Sequence, residues 1–156
     1  MHTPLIRSFR PEDWPHLCQI HDLARAQELA LAGLEATFLP LSVAAEREGL
    51  FEYQLAVAEV AGQPAAFAAM ADDELAWLYV HPAHARRGLG RALVRWALTQ
   101  AEGPLAAEVL QGNHPALALY QAAGFQDTGL AHGQMPGNEA FRVSVHLLSH
   151  PGRLPD

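Results

Sequence analysis

The chain has 156 residues, of which 50% are hydrophobic and 17% charged, and its formal net charge is −7. That balance excludes a disordered tail or a collagen-like rod and suits one domain over 1–156. The acidity argues against broad nucleic-acid binding, and no apolar run reaches the roughly 20 residues of a membrane span.

The N-terminus "MHTPLIRSFRPEDW" lacks the long apolar stretch of a secretion signal, so a cytoplasmic protein with no membrane partner is expected. Cys18 is the single cysteine, which leaves no internal disulfide. There is no lysine, so all ten Lys+Arg residues are arginines.

In chain order, "PLIRSF" (4–9) reads as a first strand. From Pro11 a helix is expected, with Trp14, Leu17, Cys18, His21 and Ala24 on one stripe and two acids in its first turn. "ELALAGLEATF" stays helix-compatible until Gly33, and Pro40 ends it. Ser42 is a candidate cap for a further helix through "VAAEREGLFEY". Three strands then follow at tight turns: "QLAVAEV" (54–60), "AAFAAMA" (65–71) and "LAWLYV" (75–80). They predict an antiparallel meander. The last is apolar throughout, as a strand covered on both faces would be.

"LGRALVRWALTQAE" carries Leu89, Leu93, Trp96, Ala97 and Gln100 at helical spacing. "GPLAAEVL" (103–110) is a strand, and "HPALALYQAAGF" (114–125) a short helix with Gly124 at its C-cap. "FRVSVHLL" (141–148) alternates as a half-buried strand. Before it, "HGQMPGNEAF" (132–141) is expected to be a mobile glycine-rich loop. The order gives an α/β or α+β layer architecture, with a mixed, mostly antiparallel sheet flanked by helices.

The stretch "HARRGLGRAL" (84–93) sets Arg86, Arg87 and Arg91 around Gly88 and Gly90, between a strand and a helix. Free amides at a helix start, approachable glycine backbone and flanking guanidinium groups together make an anion site of the kind that takes a pyrophosphate. A tight turn without ligand is the plainer alternative. A Walker loop needs a lysine, and a Rossmann fingerprint needs a third glycine where Leu93 stands.

With its context, "LAWLYVHPAHARRGLGRALVRWAL" resembles the acyl-CoA-binding segment of the GNAT-type N-acetyltransferases. A second segment, "EVLQGNHPALALYQAAGF" (108–125), is similar to that family's E-V-x-x-x-N-x-x-A-x-x-L-Y-x-x-x-G-F pattern. Asn113, Ala116, Leu119, Tyr120, Gly124 and Phe125 fill its named positions. Locally the chain resembles the ribosomal-protein-alanine N-acetyltransferase branch. One departure is Ala85, which stands where the family loop usually has Gln or Arg.

The resemblance implies the family fold and transfer of an acetyl group from acetyl-CoA to a primary amine, either a small molecule or a peptide N-terminus. It implies a pyrophosphate over Arg86, Arg87, Gly88, Leu89, Gly90 and Arg91. It implies a pantetheine arm along Leu78, Tyr79 and Val80, an oxyanion donor near Val80, and Asn113 beside the cofactor. It implies Tyr120 as the acid that protonates the leaving thiolate, since thiol and phenol acidities lie close enough for useful transfer. Glu108 is the implied base, with Glu74, His81 and Glu139 behind it.

Plainer readings stand beside these roles: Tyr120 as a core aromatic, Glu108 as an exposed strand residue, Asn113 as a helix cap. His81 and His84 have a spacing a metal can use, but Pro82 opposes it, and no metal is expected. Trp14, Phe38, Phe51 and Tyr53 read as core or as the lining of an acceptor pocket. The alternative of another class is a non-catalytic acyl-CoA-binding or sensing module on the same fold. The oligomeric state is open, a homodimer included.

Overall fold

The computed structural model describes residues 4–152. β1 (Leu5–Ser8) leads through a 3-10 turn into α1 (Trp14–Ala32), and α2 spans Leu41–Arg47. Then come β2 (Gln54–Val60), β3 (Gln63–Met70), β4 (Leu75–Val80), α3 (Leu89–Gln100), β5 (Leu105–Leu110) and α4 (His114–Ala122). β6 (Gln126–Met135) and β7 (Asn138–His150) close the chain. No helix among the described residues is long and apolar enough to cross a membrane.

The expected meander is present: β1, β2, β3 and β4 pair antiparallel in that order, and β5, β7 and β6 form a second antiparallel sheet. Among the described residues the backbone pairing between the sheets is a parallel bridge between Glu74 and Ala106, reinforced by the Ala106 amide donating to the Asp73 carbonyl at 2.8 Å. Beyond that point β4 and β5 separate.

Alternation along β2 and β3 divides the core between the two faces. Ala56, Ala58, Ala66 and Ala68 face Leu89, Leu93, Val94 and Leu98 of α3. Val57, Phe67, Ala69 and Trp77 face Leu17 and Ile20 of α1 and Leu41, Ala44 and Ala45 of α2. Small side chains under α3 let its leucines seat directly on the sheet, while the large ones fill the wider α1 side.

Several expectations are corrected. Ser42 is not a cap. Pro40 holds the capping position, and the Leu41 amide is capped from another helix, by Asp22 Oδ1 of α1 at 2.8 Å. On α3 the buried stripe includes Val94 and Leu98, whereas Gln100 is exposed. β4 is not covered on both faces: Ala76 is exposed and Leu78, Tyr79 and Val80 are half-buried, because one side opens where β5 departs. The segment 132–141 is not a loop. It is the end of a hairpin, with His132 opposite Ser144 and Met135 opposite Asn138. Arg47 donates to the Gly137 carbonyl at 2.9 Å and Asn138 to the Thr37 carbonyl at 3.1 Å, which tie the tip to α2 and the turn before it. Nor is β7 buried on one face only. Val143 joins Leu29, Leu110 and Met135, whereas Leu148 joins the α3 side.

Helix α4 ends as its sequence requires. Gly124 is left-handed at φ 100°, the Phe125 amide reaches the Tyr120 carbonyl at 3.0 Å, and the Gly124 amide reaches the Gln121 carbonyl at 3.0 Å. This is a Schellman ending, and its usual apolar contact is the edge-on pair of Tyr120 and Phe125 rings, 5.2 Å apart. A Cβ on Gly124 would also lie 3.1 Å from His150 Nε2. Gly124→Ala is therefore expected to cost roughly 1–2 kcal/mol, read as a lower urea midpoint at unchanged slope.

Candidate active site

The parting of β4 and β5 leaves a cleft of about 440 Å³, lined among others by Leu78, Val80, Glu108, Asn113 and Tyr120. β4 is an edge strand here. The His81 amide donates to the Ala65 carbonyl at 2.8 Å, so His81, Tyr79 and Trp77 turn their backbone groups toward β3. Leu78 and Val80 therefore direct theirs into the cleft. Tyr79 differs from its two neighbours. Its backbone is committed to β3, and its hydroxyl donates to Glu28 Oε1 at 3.3 Å.

At one end of the cleft lies the glycine turn. Gly88 is left-handed at φ 81° and precedes α3 without any side-chain cap. The first helical hydrogen bond is Ala92 to Gly88 at 3.0 Å, so the amides of Leu89, Gly90 and Arg91 have no partner among the described residues. Gly90 serves packing as well as approach: a Cβ there would lie 3.0 Å from Leu119 of α4. Arg86, Arg87, Gly88 and Arg91 are exposed, and Leu89 is buried in the core. Arg86 itself is left-handed at φ 64°, an unfavourable conformation for a side-chain-bearing residue. Neither Arg86, Arg87 nor Arg91 forms an ion pair among the described residues. The helix dipole and three guanidinium groups thus give this end positive potential inside an acidic protein.

Tyr120 stands in the middle. It is 6% exposed, yet its hydroxyl has no protein partner among the described residues and is not sealed from the cleft. Burial, with the nearby Glu28 charge, pushes its pKa well above the ordinary phenol value, so the group stays protonated. Asn113 is 8% exposed. Its Oδ1 caps α4 by accepting from the Ala116 amide at 3.3 Å, and its Nδ2 donates to Glu28 Oε2 at 3.0 Å.

Glu28 is a residue that sequence reading missed. It accepts from Arg25 at 2.5 Å, Tyr79 at 3.3 Å and Asn113 at 3.0 Å, so one carboxylate joins α1 to β4 and α4. Nothing in the local pattern of α1 marks it, because its partners lie 51 and 85 residues away.

The other end of the cleft is acidic. Glu108 is exposed on β5 and borders the cleft, with Glu48 across from it. Glu48, also missed, sits at the end of α2 beside the hairpin tip. Burial pushes its carboxyl up to about 7, with Glu139 acting in the same direction and Arg25 opposing. Glu74 is likewise raised, by burial and then by the Glu108 charge, and accepts from the Tyr53 hydroxyl at 3.4 Å. Of the aromatics considered from sequence, Tyr53 lines a cavity, while Trp14 packs on Phe51 and Phe38 lies at the surface. His81 is spent on its own turn, accepting from the Ala83 amide at 3.0 Å. No trio of metal-ligating side chains converges among the described residues.

The family model described as an acetyltransferase (GNAT) domain matches residues 51–127, which contain β2 through α4 and hence the whole glycine turn and Tyr120. Among curated proteins none matches the chain. Among solved structures, a GCN5-related N-acetyltransferase from Rhodopseudomonas palustris is 20% identical, with 97% of each chain covered and a TM-score of 0.78. A ribosomal-protein-alanine N-acetyltransferase from Brucella melitensis is 24% identical, over 94% of this chain and 99% of its own, with a TM-score of 0.68. A phosphinothricin acetyltransferase of the GNAT superfamily from Sinorhizobium meliloti, solved in complex with acetyl-CoA, is 18% identical over 97% of this chain and 90% of its own, with a TM-score of 0.69. These likenesses are of fold. The matched residues carry both motifs of the cleft, so over 51–127 the chain carries an acetyltransferase (GNAT) domain.

Proposed function

We propose that the protein transfers the acetyl group of acetyl-CoA to a primary amine by direct attack. The observation that carries this is a cleft that holds a buried phenol without a protein partner among the described residues and that adjoins, at Val80 and Leu119, a cationic, uncapped helix start. The similar fold solved with acetyl-CoA supports the choice of cosubstrate.

The amides of Leu89, Gly90 and Arg91, with Arg86, Arg87 and Gly88, hold the diphosphate. Ala85 adds no side chain, and the backbone donors carry the contact instead. The free edges of Leu78 and Val80 take the pantetheine arm as an added strand would be taken. The Val80 amide supports the oxygen that gains charge as the amine attacks. Tyr120 then gives its proton to the leaving thiolate, and the tyrosinate takes back the proton that the nitrogen sheds as the amide forms. Its raised pKa is no obstacle, because the same dry cleft makes the thiolate a stronger base. Asn113 fixes the start of α4 and so the height of Tyr120 in the cleft.

The ammonium proton goes to Glu108, which borders the cleft on β5. A second reading gives that step to Glu48, and its acidity near neutrality favours it, since a base works best near the operating pH.

Tyr120→Phe is expected to lower kcat about 100-fold or more while acetyl-CoA binding, measured by calorimetry, stays unchanged. Unaltered turnover would remove the acid role. Arg86→Ala with Arg87→Ala is expected to weaken acetyl-CoA binding about tenfold, with a smaller salt dependence than the parent. If Glu48 is the base, kcat/KM rises with pH through about 7, and Glu48→Gln abolishes that limb. If Glu108 is the base, Glu48→Gln leaves the pH profile of kcat/KM as it was. Folding favours protonated Glu48, so the native state binds the extra proton between the ordinary 4.5 and about 7, and stability falls as pH rises through that window. The Tm of Glu48→Gln should therefore exceed the parent's at pH values above that window and converge with it in acid.

A further inference from the structure

Below the hairpin tip the cleft continues into a second chamber of about 320 Å³. Trp77, Glu48 and Glu108 border both spaces, while Tyr53 and Glu74 belong to the chamber. It lies where β4 and β5 are still joined, since Glu74 is the residue of the parallel bridge.

Three carboxylates, Glu48, Glu74 and Glu108, face this chamber, and none forms an ion pair among the described residues. The cation that borders it, Arg47, reaches the Gly137 carbonyl at 2.9 Å. Glu74 and Glu108 stand close enough for the charge of one to disfavour ionisation of the other. Carboxylates partly removed from water and set against each other are destabilising until a cation joins them.

A second observation points to a ligand independently of charge. Trp77 is 6% exposed, yet its indole N–H has no partner among the described residues and is not sealed in the core. The residue borders the two spaces of the cleft, to which its accessible part offers a donor.

We propose that this chamber binds a second cationic group of the acceptor, so that the amine acetylated belongs to a dication. This rests on the acetyl-transfer reading above and names the substrate class of that same cleft. The reacting amine lies near Tyr120 and the thioester. The second cation lies at Glu74, beside Tyr53 and Trp77, while Glu108 or Glu48 takes the proton of the reacting amine. The arginine-rich end repels the acceptor and the acidic end attracts it, so the two substrates enter from opposite ends without competing. Two sources share this chemistry: an α,ω-diamine, and a peptide N-terminus followed by a basic residue. Only the peptide brings a carbonyl for the Trp77 indole.

The test measures CoA release with 1,4-diaminobutane against n-butylamine, and with Ala-Arg amide against Ala-Ala amide. The dication of each pair is expected to have a kcat/KM about tenfold higher or more, and the arm with the larger ratio identifies the source. Glu74→Gln, which is isosteric, should remove most of that advantage, read as a fall in the dication-to-monocation ratio of kcat/KM. Equal kcat/KM within both pairs, or an equal loss for both members in Glu74→Gln, would overturn the proposal while leaving acetyl transfer intact. If no amine releases CoA, acetyl transfer to these amines is what has failed. Calorimetry of the same compounds with the protein saturated in CoA then decides the chamber: preferential binding of the dications supports it, and its absence sinks it.

Discussion

Everything that this molecule offers to a ligand follows from one place where two parallel strands stop pairing. The backbones leading into β4 and β5 pair at the bridge between Glu74 and Ala106, and among the described residues the ladder goes no further. Had their ladder continued, the backbone of Leu78 and Val80 would be consumed, and Tyr120 would lie under a closed sheet. Because it ends, an interior edge faces a cavity rather than solvent. An edge with free donors and acceptors is ordinarily a liability for association. Here helices on both faces leave room only for something narrow and extended.

The two ends of that cavity are built by different means. The cationic end depends on backbone: a left-handed glycine, an uncapped helix start and arginines without acidic partners among the described residues. The acidic end depends on side chains delivered from elements distant in sequence, namely α2, the start of β4 and β5. Between them Glu28 holds α1, β4 and α4 in a fixed relation through three hydrogen bonds. The phenol is placed by the Schellman ending of α4, so the same Gly-Phe pair that stops the helix also braces the ring of Tyr120.

This division explains what could be read from the sequence. β2 and β4 were legible to the residue, because short apolar runs between turns announce strands. The glycine turn and the Asn113 to Phe125 segment were legible because each is a local device: spacing encodes cap, stripe and stop. Ser42 misled, since a serine near a helix start suggests a cap and gives no hint that Asp22 caps from another helix. The 132–141 hairpin was hidden by its glycines, which suggest a loop but here permit a tight tip between long strands. Glu28 and Glu48 could not be found, because their roles consist of contacts made across the fold, and a lone glutamate on a helix has no signature.

The tether of the hairpin tip has a consequence for diversification. Arg47 and Asn138 fasten the tip to the α2 side of the molecule and fix how far it overhangs Glu48 and Glu74. Lengthening or shortening that tip by a residue or two would resize the acidic chamber and leave the glycine turn untouched. On the proposed function, descendants of such a scaffold would be free to trade one amine for another by remodelling a single turn.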